Sequence, residues 1–306
     1  MTALEKLRFA LLSAAGKLIG LSGFAGARFL GRALGRAIWT CLPSRRRLAT
    51  GNAASHLGLP EKEAARIAKE SFLNTGQSFF ELLLTQKFSF SSPNLSSDTP
   101  ETLRELFACG RPIVAITAHF GAWELLASLL GQVYEEPRPR QVIVRKYADP
   151  AVHAFITKQR EATGAQMIGH RNAILQVMRA LRKNGIAAFL ADHNTKKNEA
   201  LFLPFLGEEA AVNAGPALLA VRSGALVWPM VLSRQGSNYV FHLQKPMDTA
   251  GLEGTAEEKI RKTAEFYTRA LEKFIREEPE QWFWMHNRWK TKKPPENAPA
   301  RQDIRG

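Results

Sequence analysis

Between residues 111 and 191 the chain alternates two rhythms. Short unbroken apolar runs at 113–116, 142–144 and 186–191, with a short strand at 166–168, are separated by stretches in which apolar positions return every three or four residues. In 123–130, Leu125, Leu126, Leu129 and Leu130 can share one helix face. Helices over 150–164 and 171–185 each end on a glycine, Gly164 and Gly185, and Pro150 suits a first helical turn. An apolar run with no polar alternation is a strand covered on both faces, and strand–helix alternation covers a sheet with its own crossovers. The pattern predicts an α/β fold: a mixed, largely parallel central sheet covered by helices. Strands at 225–234 and 239–245, joined through Gly236, Ser237 and Asn238, add an antiparallel edge.

Outside that block the pattern is helical. Residues 7–39 are apolar with a basic stripe, Arg28, Arg32 and Arg36, beside Phe29, Leu30, Leu34 and Ile38. The uncharged runs on either side of Lys17 are each shorter than the roughly 20 residues of a bilayer span, so 9–27 either crosses with a lysine in it or lies along the interface. Residues 61–86 form a helix with Ile67, Phe72, Phe79 and Leu83 as packing positions and Gly76 as a kink point. A polar connector over 88–100 leads to a short helix at 101–110 closed by Gly110. Residues 201–215 read as a loop with an apolar head, and 255–279 as a long charged helix. Three regions follow: 1–42, helical and membrane-associating; 43–290, the α/β domain; 291–306, a frayed tail.

Charge sharpens this picture. The net charge is +14, and residues 1–50 carry nine Lys or Arg against Glu5 alone, a net +8. Such a field attracts anionic lipid, phosphorylated substrates or nucleic acid. The run Arg45, Arg46, Arg47 has no interleaved aromatics and no recognisable nucleic-acid motif around it, so nucleic acid is not the expected partner. Cys41 and Cys109 follow no metal or redox spacing, which points to reduced thiols.

The candidate chemistry sits where the strand at 113–116 hands over to its helix, in 119-HFGAWE-124, because ligands of open α/β sheets gather at the carboxyl ends of strands. Two readings of His119 and Glu124 stand side by side. In one they are a capping residue and a partner for the helix dipole. In the other, His119 lies just outside the helix, Gly121 permits a tight path, and Glu124 folds back to orient the imidazole as a general base. No GxSxG elbow is present and neither cysteine follows a strand, which disfavours a covalent acyl-enzyme. Asp192 and His193, after the run at 186–191, can approach His119, yet no HExxH or histidine-rich cluster supports a metal. Arg145, Lys146 and Arg160 are candidates for an anion site. Trp282, Trp284 and Trp289 read as packing.

Taken together, these blocks resemble the lipid A biosynthesis lauroyl/myristoyl acyltransferase family of the glycerolipid acyltransferase superfamily. His119 and Glu124 match its HxxxxD/E signature. Arg47 with Asn52, Arg145 before Pro150, Arg160, Gly185 before Asp192, 204-PFLG-207, Pro229 and 282-WFWMHNRWK-290 follow in order. The resemblance implies transfer of a fatty acyl chain from an acyl carrier protein thioester to a hydroxyl of a phosphorylated glycolipid, a lipid A precursor, by a monomeric enzyme at the cytoplasmic face of an inner membrane with anionic lipids. It implies no cofactor and no metal. His119 would be the base and Glu124 its partner, with Gly121, Arg145, Lys146, Arg160, Asp192 and His193 around the substrate. The alternatives it leaves are another membrane glycolipid or phospholipid acceptor, or hydrolysis of a thioester or lipid by the same dyad. The family usually has Asp-Gln where this chain has Asp192-His193, and a threonine region where it has Ala210, Ala211, Val212 and Asn213.

Overall fold

The apolar runs of the central block assemble as β1 (Ile113–Thr117), β2 (Arg140–Val144), β3 (Gln166–Gly169) and β4 (Ile186–Leu190), joined by β7 (Leu226–Gln235), β8 (Asn238–Leu243) and β9 (Met247–Asp248). The computed structural model describes residues 1–96, 109–130, 132, 138–169 and 173–294. The sheet order is β3-β2-β4-β1-β7-β8, with β9 also on β7. Pairs β1–β4, β1–β7, β2–β3 and β2–β4 are parallel, while β8 and β9 run antiparallel to β7. The expected mixed, largely parallel sheet is thus present, with its antiparallel edge.

Register places the site. Thr117 at the end of β1 lies opposite Leu190 at the end of β4, so the two loops that follow leave the sheet side by side. Helices cover both faces: α5 (Trp123–Leu130), α6 (Pro150–Glu161), α7 (Ala173–Leu181), α8 (Gly215–Ser223) and α9 (Ala256–Glu277). Val114, Ile116 and Val227 join one buried cluster, and Ile113, Ala115 and Trp228 the other, as strands buried on both sides require.

The N-terminal region is α1 (Ala3–Leu21), α2 (Gly23–Cys41), α3 (Pro43–Leu57) and α4 (Glu61–Glu81). Between α1 and α2 the axis turns by 117°, and no single described helix is long and apolar enough to cross a membrane. Helix α1 rests its Gly16 face on Phe155 of α6 and Leu83, and Arg8 pairs with Asp149, the N-cap of α6. Its opposite face leaves Leu4, Leu7, Leu11, Leu18 and Leu21 exposed.

Helices α2 and α4 approach backbone to backbone. A Cβ at Gly76 would lie 2.1 Å from the Gly31 carbonyl oxygen, and one at Gly35 would lie 2.3 Å from that of Phe72. Gly76 is therefore a contact point in an unbroken helix rather than a kink. Of the basic stripe, Arg32 turns to Glu70 on α4 at 3.0 Å. Phe79, expected to pack, is exposed.

Residues 200–213 correct the expected loop. They form an antiparallel hairpin, β5 (Ala200–Phe205) and β6 (Glu208–Asn213), turning through Leu206 at φ 51° and Gly207 at φ 85°. A two-residue turn with both φ positive is the standard hairpin connection, and a leucine in its first position hides it from a reading that looks for Asn-Gly. Of the helix expected over 101–110, residues 101–108 lie outside the described residues, as do residues 171 and 172 at the start of the helix expected over 171–185 and the tail from 295.

Candidate active site

His119 follows β1 by two residues and Asp192 follows β4 by two, so the register sets them facing each other. The His119 N–H donates to Asp192 Oδ2 at 3.0 Å, and the imidazole Nδ1 lies 2.9 Å from Asp192 Oδ1. A third donor, the Trp282 indole N–H, meets Asp192 Oδ2 at 2.9 Å. Asp192 is only 2% exposed. Burial pushes its carboxyl up, but the adjacent His119, the imidazole hydrogen bond, His193 and the indole hold it well below the usual carboxylate range. An ionised Asp192 keeps the imidazole proton on Nδ1 and leaves the Nε2 lone pair as a base.

The loop carrying His119 is fixed from several sides. Gly121 adopts φ +52°, and a Cβ there would fall 2.1 Å from the Leu232 carbonyl oxygen. Only glycine tolerates both conditions. The Gly121 N–H donates to Gln281 O at 2.9 Å, that of Ala122 to Leu232 O at 2.7 Å, and that of Phe283 to His119 O at 3.0 Å. The Gly121 carbonyl accepts from Ser78 Oγ at 2.9 Å, and Ser78 Oγ is held by Arg234 at 2.6 Å. Arg234 is itself paired with Glu81, which also accepts from the Tyr239 hydroxyl at 2.9 Å. This buried polar network spans α4, β7 and β8 and ends on the loop that carries His119, which gives the ion pair a positioning role. Because the amides of residues 119 to 122 all have acceptors, an anion at the base must find its donors elsewhere.

Glu124 does not meet the imidazole as expected. Its carboxylate takes a two-pronged grip on Arg160, from Nε at 2.9 Å and Nη2 at 2.6 Å, and accepts from the Trp123 indole at 3.1 Å. At the start of α5 it points toward α6, because Asp192 already fills the space beside Nδ1. Burial would lower the Arg160 guanidinium, but Glu124 opposite it raises it above the ordinary value.

On its open side His119 stacks on His193, with centroids 3.9 Å apart and planes at 10°, and His193 packs on His286 at 4.3 Å. Burial, then the neighbouring His119, lowers His193 to about 2, and burial lowers His286 to about 4, so both are neutral at working pH. His119, Asp192 and His193 bring one ligand atom each within 4.8 Å of one another, a set that could be asked to hold a metal. Imidazole lone pairs lie in the ring plane, and two face-to-face rings do not converge on one ion. Asp192 is moreover committed to three donors, and the set suits proton transfer better than chelation.

The dyad opens on a cavity of ≈ 710 Å³. Its lining includes apolar side chains, among them Ile143, Val144, Phe189, Leu190, Leu218 and Leu219, and polar or basic ones, Arg145, Lys146, Arg160 and His193. Arg145 and Lys146 are exposed at the end of β2, and Arg145 is near enough to help depress both His193 and His286. The expected substrate residues thus separate. Arg145, Lys146, Arg160 and His193 line the cavity, Asp192 lies beneath it as the partner of the base, and Gly121 lies in the supporting loop.

Sequence reasoning missed the aromatic tail as part of the site. Trp282 is buried as expected for packing, yet its indole holds Asp192, and His286 Nε2 accepts from the Asn194 N–H at 3.0 Å. The available signal was the density of indole and imidazole groups in 282–290, which seldom serve packing alone when buried.

Comparison with known proteins shows the family. A family model described as bacterial lipid A biosynthesis acyltransferase matches residues 2–291. The chain is 28% identical to a lipid A biosynthesis lauroyltransferase of Escherichia coli K12 over 204 residues, which is 66% of this chain and 63% of that protein, a little under two thirds of its length. It is 24% identical to a lipid A biosynthesis palmitoleoyltransferase of the same organism over 270 residues, covering 86% of this chain and 85% of the relative. A phosphatidylinositol mannoside acyltransferase of Mycolicibacterium smegmatis is 23% identical over 151 residues, 48% of each chain.

Proposed function

The chain belongs to the bacterial lipid A biosynthesis acyltransferase family, and from that premise we propose that it transfers a fatty acyl chain from an acyl carrier protein thioester to a hydroxyl of a phosphorylated lipid A precursor. The observation that supports this reading is the His119–Asp192 pair, with Nδ1 committed and His119 lining a cavity that holds both apolar and cationic side chains.

In this reading the acceptor hydroxyl gives its proton to His119 Nε2 as its oxygen attacks the thioester carbonyl carbon. Asp192 stabilises the imidazolium that forms. The tetrahedral oxyanion collapses, the C–S bond breaks, and the departing thiolate takes the proton back from His119, leaving an ester and a thiol. No protein nucleophile and no further energy source are needed. Arg145, a cavity-wall guanidinium with no ion-pair partner among the described residues, supplies the oxyanion with a donor that the committed loop amides do not. Glu124 acts through Arg160, holding that guanidinium in the wall beside the base. Lys146 and Arg145 favour phosphate groups on the acceptor. The apolar part of the lining suits the acyl chain.

The +8 charge of residues 1–50 and the exposed leucines of α1 support attachment to an anionic membrane surface, the cytoplasmic face of an inner membrane being where a carrier protein and a lipid acceptor meet. Likeness to a phosphatidylinositol mannoside acyltransferase keeps a second reading in view, the same chemistry on another membrane glycolipid. Labelled acyl carrier protein thioester supplied with membranes tests the proposal. Label in lipid supports transfer, label only in free acid supports hydrolysis, and label in a non-lipid-A glycolipid supports the second acceptor.

A further inference from the structure

The cavity mouth carries a patch that the site chemistry does not use. Helix α7 begins beside the cavity, where Ile174 is one of its lining residues, and its first turn leaves Ile174 49% and Leu175 70% exposed. Arg179 lies one helical turn after Leu175 on the same side, and Arg182 and Lys183 follow in the turn that closes the helix, all three exposed. The whole stretch 162–191 contains four cations and no acidic residue. Apolar side chains at one end of an exposed face with cations along the rest are the composition of a helix that lies in an anionic lipid interface.

A second observation ties this patch to a membrane. Leu4, Leu7 and Leu11 of α1 are exposed around Arg8, whose ion pair with Asp149 anchors that end of α1 to the segment that follows Arg145, Lys146 and Tyr147 at the cavity wall. Tyr147 is exposed as well. Exposed Ile174 and Tyr147 therefore line one cavity from elements far apart in sequence, and α1 with its exposed leucines is tied to the segment next to that wall.

We propose that α7 is a second membrane-contact element, inserting Leu175 and Ile174 into an anionic bilayer at the cavity mouth while Arg179, Arg182 and Lys183 lie on its headgroups. The occupant is a lipid surface rather than a protein because the charge is uniformly positive and the apolar part is only one helical turn long. The purpose of such contact rests on the lipid-acceptor reading, but binding to lipid is measured without turnover, so the two fail separately.

The test uses the full chain with Cys41 and Cys109 changed to serine, an environment-sensitive fluorophore on L175C, and phosphatidylcholine vesicles with and without phosphatidylglycerol. The emission of the label shifts to the blue on anionic vesicles. In the unlabelled chain, Leu175→Glu weakens partition by roughly tenfold, as loss of one buried leucine and gain of one repelled charge require. The pair Arg179→Glu and Arg182→Glu weakens it on anionic vesicles alone. Melting temperature is unchanged in the Leu175 variant, because the side chain is exposed. Three results overturn the proposal: emission indifferent to vesicles, partition of Leu175→Glu within about twofold of the parent, or a lipid-free oligomer that Leu175→Glu dissociates, which would give the patch to a second copy of the chain.

Discussion

Changing Asp192 to Asn keeps the shape of the side chain and removes its charge. Three donors converge on the carboxylate: the His119 N–H and the Trp282 indole N–H on Oδ2, and the imidazole on Oδ1. An asparagine has one acceptor oxygen and satisfies the first two by placing it where Oδ2 was. Its amide NH₂ then faces Nδ1, which must become an acceptor, and the imidazole proton moves to Nε2. The base is lost although every atom stays within about its original position. In a serine protease the same tautomer reversal costs about 10⁴-fold in kcat, and with no protein nucleophile to lose as well, a fall of roughly 10³- to 10⁴-fold is expected here, equivalent to about 4–5.5 kcal/mol. Single-turnover transfer from a labelled acyl thioester at saturating acceptor measures it, with KM changing by less than about threefold because Asp192 lies beneath the cavity. Nitrogen-15 spectra of the imidazole read the tautomer directly. Retention of more than about a tenth of the parental rate, with a folded protein, refutes the assignment of Asp192 as the partner of the base.

Glu124→Gln should act differently. It leaves the Arg160 guanidinium in a buried wall without a counter-charge, so about 3 kcal/mol of stability is lost in urea unfolding while the imidazole tautomer stays as in the parent. Gly76→Ala places a methyl where the Gly31 carbonyl oxygen is 2.1 Å away, and separating α2 from α4 costs about 2–3 kcal/mol in the same assay. The depressed His193 and His286, at about 2 and about 4 against an ordinary 6.5, mean that the unfolded chain binds protons the folded chain refuses. Stability therefore rises with pH between about 4 and 6.5 and is lost on acidification, by about 1.4 kcal/mol per pH unit for each imidazole. His193→Gln should remove one such contribution from the slope, and an unaltered slope would show that His193 is protonated in the fold.

The alternation of apolar runs and helical periods made the sheet legible, because strands buried on both faces must be apolar throughout. His119 was legible for a related reason: it follows such a run directly. Its partner was not. Glu124 is the nearer carboxylate in sequence, but proximity along the chain favours it only until β4 is placed. The parallel register of β1 and β4 then brings Asp192 to the imidazole from 73 residues away, at 2.9 Å. The hairpin at 200–213 was hidden by a leucine in a left-handed turn position, and the close α2–α4 contact by glycines that read locally as weak points. In each case the missing information was a contact between segments remote in sequence.

Acylation of a membrane lipid by the His119–Asp192 dyad is decided by mass spectrometry of total lipid from cells lacking this gene, complemented with the parent, with His119→Ala or with nothing. One lipid class is expected to gain the mass of one acyl chain only when the parent is restored, and His119→Ala, present in the membrane at the parental level, is expected to leave the lipid as in the deletion. A lipid profile restored equally by His119→Ala, or identical in all three strains, would contradict it.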